Sequence, residues 1–502
     1  MNQPLKFVIV GGGSAGWMCA SLLQQHFSEC TVVLLESESR GIIGVGEGST
    51  PSLKRFFEAI NISESEWMPQ CNATYKCGIR FPGWLADAQK SYFHPFYSQA
   101  DHSCALKFFR NCQLRRAGWD MPSHPDAFFI SSEIARLGLS PKSEHEAFSL
   151  FDYGYHFDAH LLAEFLASVC IARGVEHRKL DVERVNCSAD GYIHSLIGEC
   201  GAEISGDIFF DASGFRRLLC VDAQKTDFLD YSNHLVNNAA VAMPCPLPSD
   251  QDIPSETLSE AMPYGWRWQI PLQNRIGNGY VFNRDYLSHD EASLELCKAI
   301  HVDPKSSTPL KLNWTPGRLK TNWTQNCVAI GLSQGFLEPL EAAMLHTIQD
   351  TIESFIDCFT QADFSHHLQG QHNQRVNDLI DGTRDYIQAH YLLNTRQDTQ
   401  YWKDAREQMD VSSDLGALID GWMQKHSKDP DALEAAMQGH RRRQVYRRTS
   451  WYCLFSGMEH FPDARRIPNG DLEDYGYKLK QMRDVGLDTF VSHRAALARH
   501  RR

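Results

Sequence analysis

Residues 6–16 read Lys-Phe-Val-Ile-Val-Gly-Gly-Gly-Ser-Ala-Gly, and an apolar helical pattern follows from Met18 onward. A strand, a tight glycine turn and a helix in this order form the context that a dinucleotide-binding fingerprint requires. Gly11 allows the turn, Gly13 lets the backbone approach a pyrophosphate, and Gly16 lets the helix pack on the strand. The stretch therefore predicts a Rossmann-like α/β domain that binds a dinucleotide.

The next strand favours this interpretation over that of an ordinary glycine-rich turn. Residues 31–35 read Thr-Val-Val-Leu-Leu and lead into Glu36. This acid follows the last glycine by about twenty residues, where a carboxylate can accept hydrogen bonds from ribose hydroxyls. A second glycine-rich loop, Gly44-Val-Gly-Glu-Gly-Ser-Thr-Pro51, then departs from a plain nicotinamide-binding fold.

Composition narrows the class of protein. The chain has 502 residues, 42% of them hydrophobic, which is enough for a large buried core. Its net charge of −13 argues against nucleic acid or an anionic membrane as the main partner. Fifteen cysteines without C-x-x-C or metal-like spacing indicate free thiols in a reducing compartment and no metal site. The chain enters a strand directly and has no apolar run near ~18 residues, so we expect a cytoplasmic protein without a signal peptide.

Hydrophobic periodicity predicts the elements of the middle of the chain. A helix is expected over residues 151–175, and residues 235–330 alternate between apolar and polar as a mostly antiparallel sheet does. At the centre of that sheet lies Tyr264-Gly-Trp-Arg-Trp-Gln-Ile-Pro271. Trp266 and Trp268 share one face of this strand, either as core residues or as the wall of a site.

A buried helix follows the Gly-Leu-Ser-Gln-Gly turn at residues 331–335. Its apolar residues recur with helical spacing, which predicts a helix that starts near Pro339 and opens a mostly helical C-terminal part. Glu341 then lies in the first turn, where the free backbone N–H groups of residues 342–344 can bind an anion. Either Glu341 is catalytic, or it only favours the helix start electrostatically. The recurring apolar residues are Leu345, Ile348, Ile352, Phe355, Ile356 and Phe359.

Lys76 lies in a predicted strand, Tyr75-Lys-Cys-Gly-Ile-Arg-Phe81. A lysine in such a strand usually points to solvent, whereas a buried lysine is usually there for chemistry. Aromatic residues accumulate after it, and they either line a pocket for a flat ligand or pack in the core. They are Trp84, Tyr92, Phe93, Phe96, Tyr97, Phe108, Phe109 and Trp119.

Together these features resemble the flavin-dependent halogenases of the tryptophan halogenase type, which are built on the fold of single-component flavin monooxygenases. The resemblance runs nearly from end to end of the chain. It rests on Gly11-x-Gly13-x-x-Gly16, Gly44-Val-Gly-Glu47, Tyr75-Lys-x-x-Ile-Arg-Phe81, Trp266-x-Trp268-x-Ile270-Pro271, Phe336-Leu-Glu-Pro-Leu-Glu341, and Arg384-Asp-Tyr-Ile-x-x-His-Tyr391 with Tyr401-Trp402.

The resemblance implies FAD as the cofactor, in an FAD-binding Rossmann-like domain with an antiparallel sheet and a helical C-terminal cap. Residues 1–345 would form the FAD-binding module with the substrate-side sheet, and residues 346–502 a mostly helical module over the substrate pocket. The cofactor residues would be Gly11, Gly13, Ser14, Ala15, Gly16, Glu36, Gly46, Glu47, Val182, Leu332, Gly335 and Leu345. Flavin and substrate sites would be separated by Trp266, Trp268, Ile270 and Pro271, and the substrate pocket would include His94, Phe96 and Trp451.

The same resemblance implies that reduced FAD and O2 convert a halide ion to hypohalous acid, which halogenates an electron-rich aromatic such as an indole or tryptophan-like substrate. Lys76 would position or capture this acid, since an ammonium can donate to the hypohalite oxygen. Glu341 would orient the acid or take the proton from the ring. No second glycine fingerprint for NAD(P)H is visible, so a separate flavin reductase is implied as a transient partner. A carrier-bound substrate and a homodimer are left open.

The chain departs from the family pattern after Glu341, where Ala342-Ala343-Met344 replaces the usual Ser-Thr-Gly or Ser-Thr-Ser. The halide site, placed at Ala343 and Met344, then offers backbone donors without hydroxyls. Such a site penalises a small, strongly hydrated anion, so we expect bromide to be preferred over chloride. The alternative function is that of a flavin-dependent monooxygenase or hydroxylase on the same scaffold, with an altered halide site.

Overall fold

The computed structural model describes residues 4–39, 41, 44, 47–145, 148, 151–199, 201–248, 252–306, 308–424, 433, 437, 446–463 and 486–501. The chain divides into two compact units, each assembled from separate segments. Unit one comprises Met1–Ala73, Phe157–Ser232 and Trp314–Asp381, and unit two comprises Thr74–His156, Asn233–Asn313 and Gly382–Arg502. The division into residues 1–345 and 346–502 follows secondary-structure content instead, and it stays a prediction.

The described strands and helices are numbered in chain order. The strands are β1 (Lys6–Val10), β2 (Thr31–Glu36), β3 (Glu47–Gly48), β4 (Thr74–Lys76), β5 (Gly78–Pro82), β6 (Ser91–Pro95), β7 (Leu139–Ser143), β8 (Gly154–Phe157), β9 (Glu176–Lys179), β10 (Val182–Cys187), β11 (Ile193–Gly198), β12 (Glu203–Ser205), β13 (Ile208–Asp211), β14 (Phe228–Asp230), β15 (Ala239–Pro246), β16 (Thr257–Met262), β17 (Gly265–Pro271), β18 (Arg275–Phe282), β19 (Leu310–Asn313), β20 (Gly317–Leu319), β21 (Trp323–Thr324), β22 (Cys327–Ala329), β23 (Gly335–Phe336) and β24 (Phe490–Ser492). The α-helices are α1 (Ser14–His26), α2 (Ser52–Ala59), α3 (Glu64–Trp67), α4 (His102–Arg116), α5 (Ile130–Arg136), α6 (Ala159–Ala172), α7 (His289–Ala299), α8 (Met344–Gln361), α9 (Gln369–Leu392), α10 (Gln400–Glu407), α11 (Ser413–Met423), α12 (Arg448–Gly457) and α13 (His493–Ala498).

The main sheet of unit one has the strand order β21-β22-β13-β1-β2-β9. β1 pairs in parallel with β2 and β13, and β9 and β22 extend the parallel arrangement on either side. α1 connects β1 to β2, because parallel neighbours need a crossover. The predicted Rossmann-like fold is confirmed. Its parallel strands bring their carboxyl ends, Val10, Glu36 and Asp211, to one edge of the sheet, where ligands of such folds bind.

α8 carries the predicted buried stripe, and the ring of Phe355 lies 5.0 Å from that of Phe210 in β13. The predicted start of this helix near Pro339 is wrong, because the helix begins at Met344. Glu341 and Ala342 have φ angles of 69° and 54°, which a right-handed helix cannot include.

The main sheet of unit two has the order β19-β15-β18-β17-β16-β5-β6, and all its neighbours pair antiparallel except β16 and β5. The predicted antiparallel sheet is therefore confirmed for the strands between residues 239 and 313, whereas residues His289–Ala299 within this range form α7, a helix that the alternation did not predict. Residues 314–330 do not belong to it, because β20 pairs with β14 and β22 pairs with β13 in unit one.

The predicted helix over residues 151–175 begins later than expected. Residues Gly154–Phe157 form β8, whose first residues pair antiparallel with β4. α6 starts at Ala159, because the Asp158 carboxylate accepts hydrogen bonds from the backbone N–H groups of His160 and Leu161 at 3.0 and 3.3 Å. This cap separates the strand from the helix.

Helices dominate the described residues after Met344, where β24 is a short exception. Among the helices of the described residues, none combines the length and the apolar composition that crossing a membrane requires.

Candidate functional site

The glycine turn of unit one is closed against the protein on one side and open on the other. Gly11 has a φ of 126°, and a Cβ there would lie 2.2 Å from the Ala212 carbonyl oxygen. A Cβ at Gly16 would lie 1.9 Å from the Gly11 carbonyl oxygen, so both positions require glycine. At Gly13, which precedes α1, a Cβ would meet no atom within 4 Å. The open side is where a pyrophosphate could approach the first N–H groups of the helix.

Glu36 ends β2, at the place expected for a ribose-binding acid. Its Oε2 lies 2.8 Å from His177 Nε2 and 2.9 Å from Lys179 Nζ, and both partners come from the neighbouring β9. A carboxylate has about four lone-pair positions, so these two contacts leave acceptors for ribose hydroxyls. Sequence reasoning missed the two basic partners, because only the pairing of β2 with β9 brings them to Glu36.

Asp211, at the end of β13, ties two loops of unit one together. It is fully buried, and its Oδ2 accepts hydrogen bonds from the backbone N–H groups of Leu219 and Cys220 at 2.8 and 2.9 Å. Its Oδ1 accepts from the hydroxyls of Ser213 at 2.6 Å and Ser333 at 3.1 Å. The carboxylate therefore holds the loop after β13 against the turn at residues 331–335.

That turn lies against the start of α1, which Ser14 and Ala15 open. Gly331 has a φ of 64°, and a Cβ there would lie 2.8 Å from the Ala15 Cβ. Leu332 is half-buried in the turn, and Gly335 begins β23. The structure thus places the turn that carries Leu332 and Gly335 against Ala15, which follows Gly13 and Ser14 at the start of α1.

The remaining predicted cofactor residues are less informative. Gly46 lies outside the described residues, and Glu47 is half-buried at the start of β3. Val182 begins β10 and packs in an apolar core cluster of unit one. Leu345 is buried in the first turn of α8. Core packing accounts for the burial of the last two, so their contact with a cofactor stays a prediction.

Glu341 is buried, with 3% of its surface exposed, in a left-handed turn that precedes α8. The predicted anion donor at Ala342 is wrong, because its N–H donates to the Pro339 carbonyl oxygen at 3.0 Å. Ala343 precedes α8 with a φ of −80°, and Met344 is the first residue of the helix. The backbone of Met344 is therefore helical, a conformation that does not require glycine. The halide site at Ala343 and Met344 stays a prediction.

Lys76 of unit two has no exposed surface, which rules out the interpretation that it points to solvent. Its Nζ lies 5.4 Å from the centre of the Phe96 ring, within the range of a cation–π interaction. Burial, together with the charge of Lys76, holds the pKa of His156 well below its usual value. Burial of a lysine in a strand favours a chemical role over a structural one.

Trp266 and Trp268 share one face of β17, as the alternation predicts. Their ring centroids are 6.2 Å apart, and the ring planes are tilted by 56°. Gly279 of β18 pairs with Trp268, and a Cβ there would lie 2.0 Å from the indole ring. The glycine thus makes room for the ring. Ile270 and Pro271 end the same strand and are buried.

His94 and Trp451 of unit two meet around Tyr386. His94 Nε2 lies 3.0 Å from Ser450 Oγ, and its ring centroid is 5.8 Å from that of Tyr386. Tyr386 stacks on Tyr446 at 3.7 Å and meets the Trp451 ring edge-on at 4.9 Å. Tyr386 and Tyr446 were not predicted as site residues. Tyr386 lies in the Arg384–Tyr391 motif, which was the available signal.

Among residues with assigned positions, no group of three or more His, Cys, Asp or Glu side chains is arranged to hold a metal ion.

The chain is similar to known proteins over most of its length. A family model described as tryptophan halogenase matches residues 6–469. The tryptophan 6-halogenase SttH of Streptomyces toxytricini is 36% identical over 442 residues, which cover 84% of each chain. The tryptophan 7-halogenase RebH of Lentzea aerocolonigenes is 32% identical over 480 residues, which cover 91% of this chain and 90% of that protein.

Solved structures have the same fold. The crystal structure of SttH superposes with a TM-score of 0.87 over 99% of this chain and all of the other, with 31% identity over this longer alignment. BrvH, a flavin-dependent halogenase from Brevundimonas sp. BAL3, superposes with a TM-score of 0.83 over 99% of both chains, at 31% identity.

Proposed function

The chain belongs to the tryptophan halogenase family, and we propose that its substrate is the indole ring of tryptophan or of a tryptophan-like compound. It is a flavin-dependent halogenase, an oxidoreductase that uses FAD reduced by a separate flavin reductase. O2, a halide ion and an aromatic compound are its other reactants. The match to halogenases over most of the chain does not favour the alternative of a hydroxylase.

The residues of unit one fit a flavin dinucleotide. The open side of Gly13 and the N-terminus of α1 would hold the pyrophosphate, and Glu36 would accept the ribose hydroxyls. The turn with Leu332 and Gly335 lies against Ala15, so it would contact the same ligand farther along. When bound and reduced, the flavin would supply one electron pair to O2, and the halide would supply the second pair as it is oxidised to hypohalous acid, with water as the other product.

Lys76 is proposed to position the hypohalous acid, and its complete burial is the observation that carries this role. An ammonium group away from water can donate a hydrogen bond to the hypohalite oxygen, which makes the halogen more electrophilic. Phe96, within cation–π range of the ammonium, gives the site an aromatic surface.

Glu341 is proposed to take the proton that the aromatic ring loses when the halogen is added. A buried carboxylate is suited to this general-base task. The halide is proposed to bind at Ala343 and Met344, where the start of α8 presents backbone N–H groups.

The Trp266 and Trp268 strand is proposed to separate the flavin from the substrate, with Ile270 and Pro271 at its end. The cluster of His94, Tyr386 and Trp451 is proposed to hold the aromatic substrate, because edge-on and stacked rings favour another flat ring. The hydroxyl and imidazole groups of that cluster offer hydrogen-bond partners to an indole N–H.

A direct assay tests the function. The protein is supplied with FAD, a flavin reductase, O2, and equal concentrations of bromide and chloride, together with L-tryptophan, indole or a phenol. We expect an indole compound to gain bromine in preference to chlorine, detected by the isotope pattern in mass spectrometry. Chlorinated product in excess would contradict the proposed halide site. An indole panel without halogenated product would contradict the substrate.

We further propose that the enzyme works in the cytoplasm, where the cysteine usage fits a reducing environment. A homodimer and a carrier-bound substrate stay predictions, which light scattering and an assay with a carrier-linked tryptophan would test.

A further inference from the structure

β4 and β8 place a histidine next to Lys76 in unit two. In their antiparallel register, Thr74 faces His156 and Lys76 faces Gly154. Residues two apart in a strand share a face, so the side chains of Thr74 and Lys76 point to the same side as that of His156. His156 lies two residues from Gly154 and is therefore a diagonal neighbour of Lys76 on this face. Gly154, directly opposite Lys76, has no side chain.

The hydrogen bonds of His156 run in one direction. The Thr74 hydroxyl donates to the Pro271 carbonyl oxygen at 2.7 Å. Having given its only hydrogen to Pro271, Thr74 Oγ1 accepts from His156 Nδ1, which is 3.1 Å away. The other ring nitrogen, Nε2, lies 2.8 Å from Thr257 Oγ1 and accepts from that hydroxyl. Thr257, His156, Thr74 and Pro271 together form what we call the relay.

The relay requires an uncharged imidazole with its proton on Nδ1. Burial and the charge of Lys76, with a smaller contribution from His493, lower the pKa of His156 well below its usual value. Burial likewise lowers the pKa of His493 to about 4. A charged His156 would donate at both nitrogens and would place a second cation beside Lys76. The direction of the hydrogen bonds and the electrostatics therefore agree.

Other hydrogen bonds hold the backbone on either side of Lys76. The Tyr75 N–H donates to His493 Nε2 at 2.9 Å, and the Cys77 N–H donates to the Ser255 carbonyl oxygen at 2.7 Å. These bonds act on the main chain. The relay differs from them because it acts through the side chain of Thr74, which lies on the same face of β4 as Lys76 and is hydrogen-bonded to Pro271.

We propose that the relay sets the position of Lys76 relative to the Pro271 end of β17, so that His156 is a positioning residue for the lysine. The inference rests on the proposed role of Lys76 in halogenation. β17 also carries Trp266 and Trp268, so the relay joins the lysine strand to the strand that is proposed to separate flavin from substrate. A reacting group displaced by about 1 Å can lose ~10²-fold in rate.

The test uses two variants of Thr74, one without and one with a hydroxyl, and one variant of His156. Thr74→Val removes the hydroxyl and keeps the shape, whereas Thr74→Ser keeps the hydroxyl, and His156→Phe removes both ring nitrogens. In the bromide reaction with L-tryptophan and indole, we expect Thr74→Val and His156→Phe to form roughly 10- to 100-fold less brominated product per O2 consumed. Thr74→Ser should retain most of the yield. Phenol red, which hypobromous acid brominates in solution, should report the released acid in the two deficient variants.

A second measurement is independent of activity. Amide hydrogen exchange at residues 74–77 should be faster in Thr74→Val and His156→Phe than in the wild type and Thr74→Ser. His372→Phe is the matched control, since His372 is also fully buried and lies 3.2 Å from a hydroxyl, Ser354 Oγ, in unit one. It should lower thermal stability and leave the product yield per O2 unchanged.

Two outcomes separate the relay from the role of Lys76. Wild-type yield and wild-type exchange in Thr74→Val would overturn the relay, and a loss of halogenation in Lys76→Ala would leave the lysine's role intact. Wild-type halogenation by Lys76→Ala would instead overturn the role of the lysine. Faster exchange in Thr74→Val would in that case still support the relay as a link between the two strands.

Discussion

At the scale of single residues, Lys76 is a charged side chain with no exposed surface, which is rare unless chemistry uses the charge. Lys76→Ala should abolish halogenation while reduced FAD continues to consume O2, because the lysine acts after the halide has been oxidised. An oxygen electrode and mass spectrometry of the products measure the two quantities together.

Lys142→Ala is a matched control for that prediction. Lys142 is also a lysine of unit two beside an aromatic ring, with its Nζ 5.4 Å from the ring centre of Tyr75, but it is only half-buried. This variant should halogenate normally. Normal halogenation by Lys76→Ala as well would contradict the proposed mechanism.

Ala342 is the second of two successive left-handed residues, with a φ of 54°. An L-residue with a Cβ pays roughly 1 kcal/mol or more in this conformation, whereas glycine does not. Ala342→Gly should therefore raise the free energy of unfolding by about 0.5 kcal/mol, after the greater freedom of glycine in the unfolded chain is subtracted. Urea denaturation followed by circular dichroism measures the change.

Ala343→Gly is the control for the strain. Ala343 has a φ of −80°, where alanine is unstrained. Glycine there should lower the free energy of unfolding by about 0.4–1 kcal/mol, because only the unfolded-state entropy changes. The same sign for both variants would show that the turn at Ala342 is not strained.

At the scale of elements, the turn between β1 and α1 offers one position that separates folding from cofactor binding. Substitution of Gly11 or Gly16 would place a Cβ about 2 Å from a backbone oxygen and disrupt the turn. Gly13 has open space at its Cβ position and an ordinary φ of −80°. A side chain at Gly13 can therefore obstruct a ligand without obstructing the fold.

Gly13→Leu should weaken FAD binding by at least ~10-fold while the far-UV circular dichroism stays unchanged, because the side chain would occupy the path of the pyrophosphate. A fluorescence titration with FAD measures the affinity. Gly370→Leu, at another glycine whose Cβ position meets no atom within 4 Å, should bind FAD normally. If Gly13→Leu bound FAD with the affinity of the wild type, the assignment of this turn as the phosphate-binding loop would be wrong.

At the scale of the whole molecule, buried uncharged histidines make stability depend on pH. Burial lowers the pKa of His372 to about 3 and that of His493 to about 4. In the unfolded chain both take up a proton below about pH 6.5. Between that pH and the folded-state pKa the unfolded chain binds more protons. The free energy of unfolding therefore decreases as the pH is lowered, by up to about 1.4 kcal/mol per pH unit for each histidine.

His372→Phe isolates this effect. Burial raises the pKa of Asp101 to about 6, so this carboxyl changes stability with pH in the opposite direction to the histidines. The effect of His372 is therefore measured as the difference between the variant and the wild type. Between pH 7 and pH 5 the wild type should lose about 2 kcal/mol more of its unfolding free energy than the variant does. Parallel urea denaturation at the two pH values, with FAD held constant, measures it. Identical losses would show that His372 is charged in the folded state.

Local patterns in the sequence determined much of the molecule. The glycine turn, the buried stripe of α8 and the shared face of Trp266 and Trp268 are all where the pattern predicts them. Each depends on a short-range rule: a turn that a Cβ would obstruct, or the period of a helix or strand. The family resemblance added the chemistry proposed for Lys76 and Glu341, which no local rule contains.

Only the tertiary structure decided the surroundings of those side chains. Lys76 is fully buried, and the pairing of β4 with β8 places His156, eighty residues away along the chain, diagonally opposite it. Because Glu341 and Ala342 form a left-handed turn, α8 begins only at Met344. The spacing of the apolar residues does not predict this turn. Burial, hydrogen-bond direction and backbone dihedral angles depend on partners that are far apart in sequence, so periodicity and composition could not specify them.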